Sequence, residues 1–243
     1  MKKQLLLVCP LLLMATALWG APLTCTSQQM SVYDVSGFSC MLGDLTFSNF
    51  SFSDTNPPPT DAQVTVVPTT DSAGDVTLQF DGAFSAGAGS SMSVAISYLV
   101  MASSPVMTGE AIAMTGFSQS GNGSVDIGES ICLGGMYSAG KCGGSGVDTI
   151  GVYDYSSTDN RTYDSVAFSP AQSEIDVVKN IAINGGSMGT SASATVSEVF
   201  NTTMTSGGGG TTGGSPVPEP STMAMMGFGL VVSALAWRRR YQA

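Results

Sequence analysis

Three aspartates and three tyrosines between positions 153 and 164 form the segment whose side chains are best suited to binding a ligand. Carboxylates and aromatic rings together suit a sugar, and calcium could bridge the carboxylates. The sequence has no Asp-x-Asp-x-Asp-Gly calcium loop, and a solvated hairpin with half-buried tyrosines fits the same residues. The predicted ligand patch consists of Tyr153, Asp154, Tyr155, Asp159, Tyr163 and Asp164.

The residues needed for catalysis are scarce. The chain has no histidine, which removes the commonest general base, the Ser-His-Asp triad and the usual zinc ligand. A glycoside hydrolase would need two positioned carboxylates, and their spacing along the chain marks no pair. We therefore predict no enzyme, no catalytic residue and no metal site, with a glycoside hydrolase as the remaining enzymatic alternative. The carboxylates available to it are Glu110, Glu129, Glu174 and Glu198.

Four cysteines lie beyond the first 21 residues, namely Cys25, Cys40, Cys132 and Cys142. An even number of cysteines in an exported chain indicates two disulfides. Three pairings are possible, and we favour Cys25–Cys40 with Cys132–Cys142 because both close short loops. A four-thiolate zinc site is the alternative, but it usually needs C-x2-C spacings that this sequence lacks.

The central part of the chain, residues 22–205, is strongly acidic. Lys141, Arg161 and Lys179 are its only cationic side chains, against 17 Asp and Glu, so its net charge is −14. Such a surface repels nucleic acid and anionic lipid headgroups, and it suits solubility outside the cell and loose binding of divalent cations. We therefore predict no nucleic-acid partner.

The hydrophobic pattern of residues 22–205 has a period of two, which is typical of strands with one buried face. The series from Met92 to Val100 is the longest, Val76–Phe80 and Val166–Phe168 are shorter, and a strand from Gln63 ends at Pro68. Gly-rich turns separate these runs. The pattern predicts an all-β body, a single β-sandwich or jelly roll. The predicted turns include 56–59, 71–74, Asp81-Gly82, 121–123, 143–146 and 184–186.

Two segments are less regular. Between Leu45 and Phe52 the apolar residues change parity, so we predict a bulge at Ser48–Asn49, or else a strand buried on both faces. Residues 173–183 fit a strand or a helix, and we assign a strand in which Lys179 breaks the buried face.

The N-terminal residues 1–21 have the order of a signal peptide. Lys2 and Lys3 precede an apolar run that is too short to span a membrane, and small residues follow it. Cleavage after Ala17, Gly20 or Ala21 fits, and we favour the last two. Signal peptidase is therefore a predicted partner.

The C-terminal residues divide into a Gly/Ser/Thr-rich linker, 206–215, and a tail, 216–243. The tail contains Pro218-Glu219-Pro220 and then an apolar segment from Thr222 to Trp237, followed by basic residues that stop transfer. The segment would form a helix of about 24 Å, short for a hydrocarbon core of about 30 Å. The positive-inside rule places the body outside the inner membrane. The stop-transfer residues are Arg238, Arg239 and Arg240.

This order of Pro218-Glu219-Pro220, short apolar helix and basic cluster resembles the PEP-CTERM sorting tail of Gram-negative bacteria with exopolysaccharide systems. The resemblance implies that an exosortase recognises the Pro-Glu-Pro motif in the inner membrane and removes the helix. The body would then reach the outer membrane, the cell surface or the extracellular matrix.

We therefore predict a non-catalytic, structural or adhesive protein of the cell surface or exopolysaccharide matrix. The alternative is a lectin-like module that binds extracellular polysaccharide through the patch between Tyr153 and Asp164.

Overall fold

The computed structural model describes residues 23–55, 59–104, 106–156, 158–189 and 191–206. These belong to a compact unit that ends at Gly209, while a second unit, Gly210–Ala243, lies wholly outside them. The predicted signal peptide, the linker beyond Ser206, the Pro218-Glu219-Pro220 motif, the apolar helix and Arg238–Arg240 also lie outside the described residues. Within the described ranges, no helix combines the length and the apolar character needed to cross a membrane.

The described residues are almost entirely strands, in agreement with the period-two pattern. One short helix, α1 (Met30–Tyr33), and one 3-10 turn (Asp61–Gln63) interrupt them. The strands are β1 (Gln28–Gln29), β2 (Ser39–Leu42), β3 (Leu45–Asp54), β4 (Thr65–Thr70), β5 (Val76–Gly87), β6 (Ser91–Ala102), β7 (Met107–Thr115), β8 (Ser118–Ser120), β9 (Ser124–Leu133), β10 (Tyr137–Ser138), β11 (Lys141–Cys142), β12 (Gly146–Ser156), β13 (Asp159–Arg161), β14 (Tyr163–Gln172), β15 (Glu174–Asn184) and β16 (Ser193–Thr205).

Two antiparallel sheets of seven strands pack against each other as a sandwich. The first sheet has the order β1-β4-β5-β16-β7-β14, with β8 paired to one end of β16, and the second has the order β13-β12-β9-β15-β6-β3-β2. Strand β5 packs on β6 and β15, and β16 packs on β9. The hairpin β10-β11 stands apart from both sheets. The predicted all-β sandwich is therefore present.

Alternate residues of the central strands form the core. In β6 the predicted inward series Met92, Val94, Ile96, Tyr98 and Val100 is fully buried. Each such side chain stabilises the fold by about 1.5–3 kcal/mol relative to an exposed one. A one-residue slip of register would turn this whole series to solvent, so the pattern also fixes the register.

The turn predicted at Asp81-Gly82 is wrong, because β5 continues through both residues to Gly87. Its ladder with β16 shifts register at this point. A Cβ atom at Gly82 would lie 2.8 Å from the ring of Phe84, which is fully buried. The glycine therefore makes room for a core phenylalanine within a strand, and does not mark a turn.

The strand predicted from Gln63 to Pro68 also differs from the structure. Strand β4 begins at Thr65 and runs to Thr70, with Pro68 paired opposite Leu78 of β5. The neighbouring strand β1 pairs only with Thr65 and Val66, so Pro68 lies where the sheet requires no N–H donor on that side.

The predicted bulge in β3 is confirmed. The register of β3 against β6 shifts between Ser48 and Ser51, and Asn49 has a φ of 52°, a left-handed conformation that asparagine tolerates. Phe47 and Phe50 are consequently both buried despite their opposite parity.

Residues 174–184 form the central strand β15, as predicted, but the interpretation of Lys179 as a break in its buried face is wrong. Lys179 is completely buried and lies on the same face as Ile175, Val177, Ile181 and Ile183. A buried lysine needs a charged partner, and the opposite position on β9 is Glu129.

Both disulfides favoured by loop length are present. Cys25–Cys40 fastens the N-terminal segment to β2, and Cys132–Cys142 fastens the β10-β11 hairpin to β9. Their sequence separations are 15 and 10 residues. Loops of this size stabilise a fold by about 3 kcal/mol each in the chain-entropy model.

Candidate functional site

Two tyrosines on strand β12 form the centre of a candidate ligand site on the solvent-facing side of the second sheet. Tyr153 and Tyr155 lie two residues apart and therefore share the outer face of the second sheet. Their rings stack with centroids 4.8 Å apart and an interplanar angle of 17°. Tyr155 is 43% exposed, which leaves much of its ring in contact with solvent.

A carboxylate and a cation from neighbouring strands complete this pair. The Tyr155 hydroxyl donates a hydrogen bond to Oδ2 of Asp126 on β9, and this bond, followed by burial, raises the pKa of Tyr155 to about 12. The Arg161 guanidinium on β13 lies 5.7 Å from the centre of the Tyr153 ring, within cation–π range.

Asp164 connects the site to the first sheet. Asp164 lies near the start of β14, a strand of the first sheet. Its Oδ2 nevertheless contacts two strands of the second sheet. It accepts a hydrogen bond from the Gly151 backbone N–H at 2.8 Å and lies 3.2 Å from Nη2 of Arg161. Because β13 pairs only with the end of β12, Gly151 N–H would otherwise face an open strand edge. Asp164 therefore caps this edge.

These side chains border an open cleft of about 290 Å³. It combines an aromatic ring, a guanidinium and two carboxylates around a glycine-lined floor, a mixture that can hydrogen-bond a polyhydroxylated ligand and contact its ring carbons. The principal lining residues are Asp126, Thr149, Gly151, Tyr153, Arg161 and Asp164.

The structure gathers only part of the predicted ligand patch at this cleft. Tyr153 and Asp164 line the cleft, Tyr155 stacks against Tyr153 beside it, and Asp159 is exposed on β13. Asp154 points to the opposite face of β12, where burial raises its pKa. Tyr163 lies on β14 and pairs with Ala113 of the first sheet. The six residues of the predicted patch therefore do not form a single site.

Sequence reasoning missed Asp126 and Arg161. Asp126 lies between Val125 and Ile127, so alternation places it on the outer face, but only the register that pairs it with Tyr153 reveals the contact. Arg161 is one of three cations of the body, and its closeness to the tyrosines follows from the β12-β13 hairpin.

A second, larger cavity of about 830 Å³ lies beneath the β10-β11 hairpin. Tyr137 and Lys141 of the hairpin face Ser130 and Val178 of the sheet across it. Oδ2 of Asp176 accepts a hydrogen bond from the Tyr137 N–H at 2.7 Å, and the Cys132–Cys142 disulfide anchors the other strand of the hairpin. The hairpin is thus held over the sheet from both sides.

The four glutamates considered for glycoside hydrolysis divide into two groups. Glu110 and Glu129 are buried between the sheets, while Glu174 and Glu198 are partly exposed at separate places. Each carboxyl of the inner pair contacts a side-chain nitrogen: Lys179 Nζ lies 2.7 Å from Glu129 Oε2, and Asn201 Nδ2 donates to Glu110 Oε1 at 2.9 Å. The separation of 19 residues between Glu110 and Glu129 gave no sign that both lie in the same interior.

Glu110 is the most perturbed carboxyl of the interior. Burial and the nearby charge of Glu129 raise its pKa to about 8, against the opposing effects of Asn201, Thr203 and Lys179. A raised pKa is a feature of general acids. However, Glu110 is fully buried and Glu129 is 3% exposed, so a polysaccharide has no path to either carboxyl in this conformation.

Among the described residues, no three acidic, cysteine or histidine side chains come together in a group able to hold a metal ion. Calcium therefore stays a prediction, tested below together with polysaccharide binding.

Comparison with known proteins adds information about the tail. No curated protein matches the sequence. Among solved structures, TmCBM61 in complex with beta-1,4-galactotriose is similar at 12% identity over 63% of this chain and 88% of that chain, with a TM-score of 0.31. The enzymatically active domain of bacteriophage CBA120 tailspike protein 4 is similar at 13% identity over 63% of this chain and 19% of that chain, with a TM-score of 0.27. Likenesses of this size carry no inference about function.

The C-terminal tail gives a direct match. The family model of the PEP-CTERM protein-sorting motif matches residues 216–240, which contain Pro218-Glu219-Pro220 and end at Arg240. Residues 216–240 of this chain are therefore a PEP-CTERM protein-sorting motif.

Proposed function

We propose that this protein is an exported, non-catalytic β-sandwich displayed at the cell surface or in the extracellular polysaccharide matrix of a Gram-negative bacterium. The observation that carries the proposal is the sorting motif at residues 216–240. A PEP-CTERM signal implies export and processing by an exosortase. The domain that precedes the motif is then the part that acts outside the cell.

The described body supports display outside the cytoplasm. Its two disulfides are of the kind that forms and persists in oxidising compartments. Its excess of carboxylates keeps such a domain soluble and discourages self-association. The interior carboxyls Glu110 and Glu129 are enclosed, which favours a structural role for them.

The sorting step is tested by replacing Pro218, Glu219 and Pro220 with alanine. Cells producing the natural protein should display a surface form without any peptide from 223–237, detected by mass spectrometry. The triple variant should stay in the inner membrane with these peptides intact. The matched control, Thr211→Ala and Thr212→Ala in the linker, should be sorted normally. Recovery of residues 223–237 in the natural surface form would contradict removal of the tail.

A second candidate function, binding of extracellular polysaccharide, is favoured by the cleft beside Tyr153. Carbohydrate sites combine an aromatic surface with charged groups that hydrogen-bond hydroxyls. Tyr153, Asp126 and Arg161 supply both kinds of group around one opening. The function would make the protein a lectin-like component of the matrix and would require no catalytic residue.

This second function is tested with the purified mature protein and the producing strain's own extracellular polysaccharide. Saturable co-sedimentation at physiological salt is expected, and it should be lost in the double variant Tyr153→Ala/Tyr155→Ala. Tyr163→Ala, a tyrosine of the opposite sheet, is the matched control and should bind normally. Repeating the titration without calcium tests the proposed contribution of that ion.

The outcomes separate the two functions. If the natural protein does not sediment with polysaccharide yet loses its tail normally, binding is rejected and display stands. Shortening of the polysaccharide during incubation would instead show hydrolase activity and contradict the non-catalytic proposal.

A further inference from the structure

Six polar side chains from both sheets meet in the interior of the sandwich. From the first sheet come Glu110 on β7 and Asn201 and Thr203 on β16, and from the second come Tyr98 on β6, Glu129 on β9 and Lys179 on β15. All are at most 3% exposed. So many polar groups within an apolar core are costly unless each is satisfied.

Contacts and charges connect this cluster. Lys179 Nζ and Glu129 Oε2 are 2.7 Å apart, and Asn201 Nδ2 donates to Glu110 Oε1 at 2.9 Å. Glu110 in turn feels the charges of both Glu129 and Lys179 across the gap between the sheets. Glu110 therefore stands between an amine on β15 and a carboxamide on β16.

The cluster is not satisfied by its non-covalent contacts. Within the described part of the chain, four atoms of the cluster have no hydrogen-bond partner: Tyr98 Oη, Glu110 Oε2, Glu129 Oε1 and Asn201 Oδ1. An unsatisfied buried polar atom costs about 1–3 kcal/mol. Four such atoms therefore belong to the same buried cluster as the Lys179 amine and the Asn201 carboxamide.

We propose that Lys179 and Asn201 become joined by an intramolecular isopeptide bond between the lysine Nζ and the asparagine Cγ. The Nζ–Cγ bond forms, the Cγ–Nδ2 bond breaks, and the Asn201 side-chain nitrogen leaves as ammonia. No electrons are transferred to or from another molecule. The buried ammonium is replaced by a neutral amide.

Each neighbouring carboxyl has a role in this reaction. The Glu129 carboxylate takes a proton from the Lys179 ammonium, which converts the amine into a nucleophile. Glu110, whose burial raises its pKa to about 8, is protonated at neutral pH. Donation of its acid proton to Asn201 Oδ1 makes Cγ electrophilic, and the Lys179 amine adds to it. A proton of the attacking amine then passes to the Asn201 nitrogen, which leaves as ammonia, and the carbonyl oxygen returns the borrowed proton to Glu110.

The bond would strengthen the part of the body that carries the tail. Strand β16 ends at Thr205, and the linker to the sorting motif begins at the next residue. A pull on the tail therefore acts on β16 first. A covalent link from Asn201 to β15 would transmit this pull to the central strand of the opposite sheet.

Trypsin digestion of the purified, denatured and reduced mature protein tests the proposal. In the described body, trypsin cleaves only after Lys141, Arg161 and Lys179. A free Lys179 yields the peptide 162–179. A linked Lys179 is not cleaved, so the peptide from residue 162 continues beyond Asn201 and is lighter by one ammonia. Release of 162–179 at full yield and mass would overturn the proposal.

Variants assign the roles. Lys179→Arg keeps a positive charge and a trypsin site but cannot form this amide, so cleavage after position 179 should return with no loss of ammonia. Glu110→Gln should also restore the 162–179 peptide, and a linked Glu110→Gln protein would exclude Glu110 as the proton carrier. A succinimide at Asn184-Gly185 would release ammonia too, but it leaves cleavage at Lys179 intact. The natural protein alone decides the question if a variant does not fold.

Discussion

The outer cleft and the inner cluster are built from the same residue types in different surroundings. Each combines carboxylates, tyrosine and one cation: Arg161 with Asp164 outside, and Lys179 with Glu129 inside. The arginine side chain is 47% exposed and its ion pair spans 3.2 Å, whereas the lysine and glutamate side chains are fully buried at 2.7 Å. Water screens the outer pair and not the inner one. The same residue types are therefore available to solvent at the outer face and enclosed in the interior.

Lys179→Ala should have the largest effect on stability. Relative to the protein before the proposed bond forms, it leaves Glu129 and Glu110 in the interior without their cation, which costs about 3–5 kcal/mol for a broken buried pair. Where the bond has formed, the same substitution also removes the covalent link between the sheets. Urea denaturation with the disulfides intact measures the change. Lys141→Ala, at an exposed lysine of the β10-β11 hairpin, is the matched control and should change stability by less than about 0.5 kcal/mol. Equal effects would contradict the distinction between inside and outside.

The pH dependence of stability should come from Glu110. Its pKa is raised from 4.5 to about 8 by burial and by Glu129, so the folded state binds the proton more tightly than the unfolded state. The free energy of unfolding therefore falls as pH rises from 4.5 to 8, by about 1.4 kcal/mol per unit at most, or about 3 kcal/mol from pH 5.5 to 7.5.

Glu110→Gln should flatten this part of the stability profile, because glutamine keeps the shape and does not titrate. The other polar groups facing it, Glu129, Lys179, Asn201 and Thr203, remain in place. Asp126→Asn, at the outer cleft, should keep the slope of the natural protein. A slope that survives in Glu110→Gln would assign the titration to another group.

The Cys132–Cys142 disulfide tests how far the outer face depends on covalent support. Replacing both cysteines with serine should cost about 2–3 kcal/mol, as expected for a loop of this length, and should loosen the hairpin over the 830 Å³ cavity. Hydrogen exchange of the hairpin amides measures the loosening. Unchanged exchange at Tyr137 would show that its hydrogen bond to Asp176 holds the hairpin without the disulfide.

Arg161→Ala should have the smallest effect. The ion pair with Asp164 is largely exposed and contributes less than about 1 kcal/mol. Urea denaturation should show a shift within that limit, while polysaccharide co-sedimentation should weaken if the cleft binds sugar. A loss of stability comparable to that of Lys179→Ala would show that the outer pair behaves as a buried one.

Local pattern predicted much of the fold. Alternation identified β6 with its inward series, the parity change in Leu45–Phe52 predicted the bulge at Asn49, and loop length favoured the correct disulfides. These features depend on residues close together in the chain. The turn assigned to Asp81-Gly82 was wrong because the space for the Phe84 ring is set by tertiary packing.

The candidate site was less predictable. Tyr153 and Tyr155 were included in the predicted patch because of their residue types, and the structure places both on one face of β12. Asp126 was missed because its contact depends on the register of β9 against β12, and Asp154 was misplaced because it points inward. A composition pattern identifies suitable side chains without showing which face each occupies.

The sequence by itself determined the sorting signal, since the motif at 216–240 is a linear segment that is recognised by its residue order and composition. It also determined the strands, because a period of two is a local property of the backbone. Only the tertiary structure decided that Lys179, Glu129, Glu110 and Asn201 share one interior. These residues lie on four strands of two sheets. Their burial and the raised pKa of Glu110 arise because those two sheets face each other, which no local pattern contains.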